Sequence, residues 1–209
     1  MRIAVIGANG KTGRLFVNLA LQAGHHITAA VHNKNTLPDN ANLSVIKCDT
    51  TDLDQVNQLV VNQDAVVSFI GHARHSSKDV QTKTINNVIT AMRAHKIRRL
   101  ISLTGTGVRF PGDQITLTDR LLNLSISVID PDRIKDGIQH VRAIQQTDLD
   151  WTIIRVLKLT NGPAHKFSLK DNGPTKIFIS RHEVAEAALE LLKNNSHIQK
   201  APIIGRVSK

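Results

Sequence analysis

The feature that most constrains the fold is a glycine-rich segment near the start of the chain. Three glycines, Gly7, Gly10 and Gly13, are spaced three residues apart. They follow the apolar run 3–6 and precede a stretch, 15–23, whose apolar residues have helical spacing. This order predicts a β-strand, a tight turn and an α-helix. Such a turn points unpaired N–H groups and the positive end of the helix dipole at one place, which is typical of a pyrophosphate site.

The spacing of these glycines separates two kinds of nucleotide site. Gly10, Lys11 and Thr12 resemble the end of a nucleoside-triphosphate loop, but that loop needs a glycine five residues before Gly10, where this chain has Val5. A dinucleotide turn uses its glycines for the sharp bend, for the approach of the phosphates and for helix–strand packing. The alternative is an ordinary strand-to-helix turn. The candidate cofactor-binding residues of this segment are Gly7, Asn9, Gly10, Lys11, Thr12 and Gly13.

Apolar runs alternate with helical patterns along most of the chain. Beyond the first unit, strands are predicted at 26–31, 43–47, 65–70, 99–103, 151–156 and 176–179, and helices at 53–61, 80–95, 134–146 and 181–192. This alternation predicts the α/β class, with a Rossmann-type doubly wound parallel sheet and helices on both faces. We expect a single NAD(P)-binding domain over 1–209, with a small acceptor-site portion at about 156–180.

The composition argues against a nucleic-acid-binding function. The net charge is +10, but the basic residues are scattered and form only one short cluster, at 93–99. Aromatic residues make up 3% of the chain and Tyr is absent, so the stacking surfaces of single-strand-binding proteins are poorly supplied. We therefore expect a solvated basic surface.

Cysteine content and hydropathy favour a cytoplasmic, soluble protein. Cys48 is the only cysteine, so no internal disulfide can form. No apolar run approaches the roughly 20 residues that cross a bilayer, and the first strand leaves no room for a secretion signal. The histidines lack a metal-ligand spacing such as H-E-x-x-H, so no metal site is predicted.

The residues after the second predicted strand bear on cofactor choice. Ligands of open parallel sheets lie over the carboxyl ends of the strands, and an Asp or Glu after the second strand would bind the ribose hydroxyls of NAD. This chain has His32, Asn33 and Lys34 there, and the next acid is Asp39. Lys34, with His32, suits a 2′-phosphate, which favours NADP(H) over NAD(H). The alternative is a polar loop.

Two further strand ends supply candidate contacts to the adenosine half of the cofactor. Asp49 and Thr50 follow the third strand. Asp49 is a candidate acceptor for the adenine amino group; the alternative is a helix cap, although the next two residues, 51 and 52, are better placed to cap the helix. Ile70 and Gly71 end the fourth strand, where a glycine lets the adenosine approach the backbone.

Several segments together resemble a known family. They are 7–13, the Asp49 site, and the runs D-A-V-V at 64–67, A-M-R-A-H at 91–95, D-W-T-I-I-R at 150–155 and I-S-R-H-E-V-A at 179–185. This set resembles the atypical short-chain dehydrogenase/reductases of the NmrA-like NAD(P)-binding group, and is similar to the flavin reductase and biliverdin reductase B type. The resemblance implies a Rossmann fold, NADPH binding and, in some members, hydride transfer to flavins. Other members act as redox sensors.

The chain departs from this family in its chemistry. Ordinary short-chain dehydrogenases use a Ser, a Tyr and a Lys, and a chain without Tyr cannot use that mechanism. Thr104 and Thr106 are the hydroxyls left at the end of the fifth strand. Lys158 is a candidate partner for an anionic acceptor, and His72 is a candidate proton donor; the alternative for both is a polar loop position. His32 and Val156 stand where the family often has Arg and Pro.

From these residues we predict an NAD(P)H-dependent oxidoreductase. It would transfer hydride from NADPH to a small-molecule acceptor that is flavin-like or quinone-like, because such acceptors depend mainly on being held against the donor. The alternative is a non-catalytic NAD(P)H-binding redox sensor or regulator.

Overall fold

Strands and helices alternate through the first half of the chain, except that the third strand follows the second without an intervening helix. The structure is a computed structural model and describes residues 1–32, 34–72, 76–174 and 178–206. In chain order the elements are β1 (Arg2–Ile6), α1 (Lys11–Gln22), β2 (His26–Val31), β3 (Leu43–Lys47), α2 (Leu53–Val60), β4 (Ala65–Ser68), α3 (Val80–Ala94), β5 (Arg99–Gly105), α4 (Leu117–Ile129), α5 (Pro131–Gln145), β6 (Asp150–Val156), β7 (Lys158–Thr160), β8 (Phe167–Lys170), β9 (Phe178–Ser180), α6 (Arg181–Asn194) and β10 (Ile203–Arg206).

The described residues form one large sheet and one small one. The large sheet has eight strands in the order β3-β2-β1-β4-β5-β6-β10-β8. Its strands pair in parallel except for the edge pair of β8 and β10, and β7 and β9 form a separate parallel pair. The winding direction reverses between β1 and β4, the point at which open α/β sheets bind their ligands. The predicted fold class, a doubly wound Rossmann-type sheet in a single domain, is confirmed.

Helices cover both faces of this sheet and bury two apolar layers. On one face, Phe16 of α1 and Leu191 of α6 pack against strand residues such as Val5. On the other face, α2, α3 and α5 contribute a second layer that includes Val88 and Ile144. Strands buried on both faces are continuously apolar, and this explains why the run at 3–6 has no polar alternation.

Most predicted strands lie where the sequence pattern places them. The strands predicted at 26–31 and 43–47 match β2 and β3. The fourth strand ends at Ser68 rather than at residue 70, since the chain turns away there after Phe69 donates its N–H to the carbonyl of Ile6. The fifth continues to Gly105 because β6 pairs with it that far, which puts Thr104 inside the strand.

The helix α4 and the start of α5 were missed by the sequence analysis. The Oγ1 of Thr116 caps α4 by accepting a hydrogen bond from the N–H of Asp119 at 3.2 Å. Helix α5 begins at Pro131, three residues before the predicted start, and Asp130 caps it. A capping residue followed by proline is a helix-start signal that could have located this end.

Three short strands, β7, β8 and β10, were also missed. They contain only three or four residues each, too few for a hydrophobic period to show. Of the strand predicted at 176–179, residues 176 and 177 lie outside the described part of the chain, and Phe178 and Ile179 belong to β9.

Candidate functional site

The glycine turn leaves no room for side chains at its three glycines. Gly7 has φ of +71°, and a Cβ there would lie 2.9 Å from the carbonyl oxygen of Phe69. A Cβ on Gly10 would lie 3.0 Å from the Gly7 carbonyl oxygen, and one on Gly13 would overlap that oxygen. The left-handed conformation and the close backbone approach therefore both require glycine. The contact with Phe69 also joins this turn to the loop after β4.

The start of α1 presents backbone N–H groups that no side chain caps. Gly10 is the N-cap residue and makes no side-chain cap hydrogen bond, and the first turn contains no acidic residue. Lys11 is exposed at the first helical position, whereas Thr12 and Gly13 are buried against the turn. A helix start of this kind suits an anion, because its N–H groups and the helix dipole both favour negative charge.

Asn9 braces the glycine turn against the loop after β2. Its Nδ2 donates to the carbonyl oxygen of Lys34 at 2.6 Å, and its Oδ1 accepts from the N–H of Thr36 at 3.2 Å and from the Thr36 hydroxyl at 2.5 Å. The side chain of this predicted cofactor-binding residue is thus engaged within the protein. Its effect is to hold the loop with Lys34 beside the turn.

Basic side chains lie on the loop after β2 and against it. His32 and Lys34 are exposed, and Asn33 lies outside the described residues. The Nη1 of Arg14, on α1, donates to Thr36 Oγ1 at 3.4 Å. Arg14 was not named from the sequence, although its place four residues after the N-cap of α1 could have indicated it. This end of the site can therefore offer positive charge to a phosphate.

Asp49 lies in a small cavity at the ends of β2 and β3. The cavity has a volume of about 470 Å³ and is lined by His32, Lys47, Asp49 and Gln55. The backbone N–H and hydroxyl of Thr51 donate to Asp49 Oδ1 at 2.9 and 2.8 Å, and these bonds lower the pKa of Asp49. The carboxyl group is therefore ionised at neutral pH and can only accept hydrogen bonds.

The neighbours of Asp49 have other tasks. Asp52, not Asp49, caps α2, since its side chain accepts from the N–H groups of Asp54 and Gln55. Thr50 turns towards α3, where its Oγ1 lies 2.8 Å from Thr84 Oγ1.

A larger cavity lies over the ends of β4, β5 and β6. Its volume is about 520 Å³. Its walls come from the loop after β4, the end of β5, the inner side of α4 and α5, and the segment after β6. The lining residues are Ile70, Gly71, His72, Gln81, Leu103, Thr104, Gly105, Gly107, Val108, Leu122, Asn123, Ser125, Ile126, Arg133, Ile134, Gly137, Val156, Leu157, Lys158, Leu159 and Arg181. The loop 69–72 thus connects this cavity to the glycine turn.

The two candidate threonines have different surroundings. Thr104 lines the cavity, and a Cβ on Gly137 of α5 would lie 3.4 Å from its Oγ1. Thr106 is 1% exposed and is not part of the cavity wall; its Oγ1 accepts a hydrogen bond from Asn123 of α4 at 3.2 Å. The fold therefore presents Thr104 to a ligand and holds Thr106 against α4.

The charged groups of the cavity wall are cationic. Lys158 is exposed and its Nζ lies 5.5 Å from the centre of the Phe178 ring, within the range of a cation–π contact. Arg133 and Arg181 also line the cavity. Among the described lining residues there is no Asp or Glu. A cavity with apolar walls and cationic edges suits a ligand that has an apolar body and a negative group.

The basic cluster at 93–99 does not form a continuous free surface. Arg98 donates to the carboxylates of Asp148 and Asp150. Arg99 is 6% exposed and donates to the carbonyl oxygens of Asp150 and Leu191, and burial lowers its pKa to about 10. Two of its basic side chains are thus used within the protein.

No helix among the described residues is both long and apolar enough to cross a bilayer. No group of three or more His, Cys, Asp or Glu side chains in the described ranges could hold a metal ion.

Comparisons with known proteins place this geometry among dinucleotide-binding folds. Residues 7–195 match the model of a family described as NAD(P)H-binding. The chain is 24% identical to the uncharacterised protein YwnB of Bacillus subtilis over 208 residues, 94% of each chain. The crystal structure of a short-chain dehydrogenase/reductase from Veillonella parvula in complex with NADP has a TM-score of 0.82 at 19% identity and covers 98% of this chain and 94% of its own.

A second solved structure is similar over the full length. It is a "putative NADH-flavin reductase" from Streptococcus pneumoniae, with a TM-score of 0.80 at 21% identity, and the match covers 99% of this chain and 100% of that one. At these identities the two structures support the fold.

Proposed function

We propose, since the chain belongs to the NAD(P)H-binding family, that it is an NADPH-dependent reductase of a flavin-like or quinone-like acceptor. The observation that carries this proposal is the continuity of two features. The uncapped start of α1 and the glycine turn contact the loop after β4 through Gly7 and Phe69, and the same loop forms a wall of the 520 Å³ cavity. A pyrophosphate on the turn would place a nicotinamide ring, the source of hydride, at that cavity.

The preference for NADPH over NADH rests on charge at the loop after β2. His32, Lys34 and Arg14 lie on or against this loop, and Asn9 holds it beside the turn. Among the described residues, no acid directly follows β2. Cations at this position suit a 2′-phosphate, whereas a carboxylate would suit the ribose hydroxyls of NAD.

The acceptor is inferred from the walls of the larger cavity and from the name of one similar structure. Leu103, Ile126 and Leu159 make the walls apolar, and Lys158 supplies positive charge at the edge. The similar structure from Streptococcus pneumoniae bears the name of an NADH-flavin reductase. A flat conjugated acceptor with an anionic group fits these walls, and holding it against the nicotinamide is the main catalytic task.

The first test concerns the pyrophosphate site. Gly10→Val places a branched side chain where phosphate must approach, and its Cβ would lie 3.0 Å from the Gly7 carbonyl oxygen. We expect NADPH affinity to fall more than tenfold, on the order of 2 kcal/mol, as measured by calorimetric titration. Gly162→Val is the matched control, since a Cβ there meets only Thr160 Oγ1 at 3.9 Å. Unchanged affinity in a folded Gly10→Val variant would refute the site.

The second test concerns cofactor selectivity. We expect the wild-type protein to bind NADPH more tightly than NADH, and Lys34→Ala to narrow the difference by about 1 to 2 kcal/mol, the value of one charge-assisted contact. Lys83→Ala, on the exposed side of α3, serves as the control for a lost surface charge. Equal affinities of the wild-type protein for the two cofactors would contradict the preference.

A steady-state assay with NADPH and several acceptors separates the reductase from the other candidate, a non-catalytic sensor. The absence of Tyr from the chain is the observation that favours the sensor. Turnover with FMN or with a quinone supports the reductase. Tight NADPH binding without turnover of any acceptor supports the sensor.

A further inference from the structure

An imidazole and a buried carboxylate meet at the wall of the larger cavity. His72 follows Gly71 in the loop after β4, and its side chain is 13% exposed. Its Nε2 lies 2.9 Å from Oδ2 of Asp136, whose side chain is 1% exposed. The two residues are 64 positions apart in the sequence. The pair therefore forms only in the folded chain, and no local sequence pattern predicts it.

Asp136 is held in one orientation by the start of α3. Its Oδ2 accepts from the N–H of Gln81 at 2.9 Å, and its Oδ1 accepts from the N–H and the hydroxyl of Thr82 at 3.0 and 2.5 Å. Asp79, the N-cap residue of α3, makes no side-chain cap bond, so the carboxylate from α5 takes that role. A carboxylate that accepts all these bonds also accepts from His72, so Nε2 of His72 carries the shared hydrogen. Nδ1 is then the nitrogen that can release a proton.

The other cavity-lining groups are poor proton donors at neutral pH. Among the described lining residues, the ionisable side chains besides His72 are Arg133, Lys158 and Arg181, and guanidinium and ammonium groups ordinarily hold their protons far above neutral pH. Threonine and serine hydroxyls are weaker acids still. Histidine is the side chain whose ordinary pKa lies between pH 5 and 8.

The charged groups in contact with His72 or lining the same cavity come from three elements. Asp136 on α5 supplies the negative charge in direct contact. Arg133 on α5, Lys158 on β7 and Arg181 on α6 supply positive charge around the same cavity. His140, one turn after Asp136 on α5, adds no charge at neutral pH, because burial lowers its pKa to about 4.

We propose that His72 is the proton donor of this reductase and that Asp136 is its positioning residue, an inference that rests on the proposed function. The acceptor gains a hydride from NADPH and a proton from Nδ1 of His72. It is thereby reduced by two electrons, while NADPH is oxidised to NADP⁺. The bond between Nδ1 and the proton breaks as the new bond to the acceptor forms. The neutral imidazole then takes another proton from solvent at its exposed edge.

The test compares His72→Gln with the wild-type protein over a range of pH. Gln keeps a group that can donate to Asp136 but has no proton to release. With FMN and with menadione as acceptors, we expect kcat at pH 7 to fall about 100-fold, the low end of general acid contributions. The wild-type rate should fall as the pH rises, because only the imidazolium carries the proton, and the variant should lack this limb. His26→Gln, an exposed residue at the start of β2, is the matched control.

Two further measurements distinguish a proton donor from a structural residue. Added imidazole should restore part of the rate of His72→Ala, since it can enter the space and donate a proton. Asp136→Asn should lower kcat with little change in the KM for NADPH, because the imidazole loses the carboxylate that orients it. A merely structural pair would show neither effect.

The outcomes separate this inference from the proposed function. NADPH affinity of His72→Gln should stay within about twofold of wild type, since His72 lies at the wall of the larger cavity and not in the glycine turn. His72 is not the donor if His72→Gln binds NADPH normally and keeps both the wild-type kcat and the wild-type pH profile. The same conclusion follows if the variant loses activity without a changed pH profile and without rescue by imidazole. In both cases the reductase proposal stands. If the wild-type protein reduces no acceptor, both proposals fail.

Discussion

Among single residues, the two threonines near the end of β5 lead to a testable prediction. Thr104 lines the cavity and Thr106 is buried against Asn123, and neither hydroxyl is acidic enough to replace a catalytic tyrosine. We expect Thr104→Ala and Thr106→Val each to lower the rate with a flavin or quinone acceptor by less than about 100-fold. Simple ketones and secondary alcohols lack the flat conjugated body that the apolar walls would hold against the nicotinamide, so they should be poor substrates.

Steady-state assay of both acceptor classes with NADPH checks this expectation. Rapid ketone reduction that either threonine substitution abolishes would reveal a conventional proton relay through the end of β5. Thr106→Val keeps the shape of a side chain that is 1% exposed but removes the hydrogen bond from Asn123. It therefore separates the effect of losing the hydroxyl group from the effect of a change in packing.

At the scale of elements, a buried histidine joins β5, α3 and α5. His140 of α5 is fully buried, its Nε2 lies 2.8 Å from the hydroxyl of Ser102 on β5, and its Nδ1 lies 3.3 Å from the carbonyl oxygen of Gln81 on α3. Burial lowers the pKa of His140 to about 4, against the partial compensation of the Gln81 carbonyl and of Asp136. The ring is neutral at neutral pH, so Nδ1 donates to Gln81 and Nε2 accepts from Ser102.

This histidine predicts how stability depends on pH. The pKa of His140 is lower in the folded protein than its ordinary value of 6.5, so the unfolded chain binds more protons between pH 6.5 and 4. The contribution of neutral His140 to the free energy of unfolding is therefore fully present above pH 6.5. It is lost, by roughly 3 kcal/mol, as the pH falls towards 4. Denaturant unfolding at several pH values should show this loss in the wild-type protein and a smaller one in His140→Gln. Equal slopes for the two proteins would mean that His140 does not titrate in this way.

Helix α4 shows how an element can form without joining the core. Asp119 is its only fully buried residue among those described, and Leu117, Leu121, Leu124 and Val128 are between 58% and 75% exposed. Their spacing of four, three and four residues is a helical signal in the sequence, though the stripe it marks faces away from the sheet. The opposite side of α4, with Leu122 and Ile126, closes the cavity.

At the scale of the whole molecule, Arg155 ties β6 to three distant segments. Its side chain is fully buried and pairs with Asp113 through two hydrogen bonds of 2.5 and 2.7 Å. It also donates to the carbonyl oxygens of Ala201 and Asp171, and its guanidinium lies 4.5 Å from the centre of the Phe110 ring. The arginine of the D-W-T-I-I-R segment thus links the loop after β5, the turn after β8 and the approach to β10.

Removing one partner of the Arg155–Asp113 pair should lower the free energy of unfolding. Arg155→Met leaves the carboxylate of Asp113, which is 3% exposed, buried without its counter-ion, and we expect a loss of about 3 to 5 kcal/mol in the free energy of unfolding. The double variant Arg155→Met/Asp113→Leu should lose less than the sum of the two single variants, because no unpaired charge remains. Urea unfolding of the wild type, the two single variants and the double variant measures the coupling free energy between Arg155 and Asp113. Additive losses would show that the two side chains contribute to stability independently of each other.

The fold class and the position of the glycine turn can be predicted from the sequence. Both depend on local chemistry. Gly7 must adopt a positive φ and Gly13 must let two backbone segments touch, and buried parallel strands need continuous apolar runs such as 65–68. The sequence also indicated that a ligand would lie at the strand ends, because parallel strands present their carboxyl ends at one edge.

Which distant side chains meet can be seen only in the folded structure. His72 reaches Asp136 and Arg155 reaches Asp113 across 64 and 42 positions, and the order of strands in the sheet sets these encounters. The hydrophobic periodicity that identifies a helix or strand shows which face of that one element is buried. It does not show which loop a buried carboxylate on the element will contact. The same limit applies to Thr104 and Thr106, since the neighbours that each hydroxyl meets depend on where α4 and α5 pack.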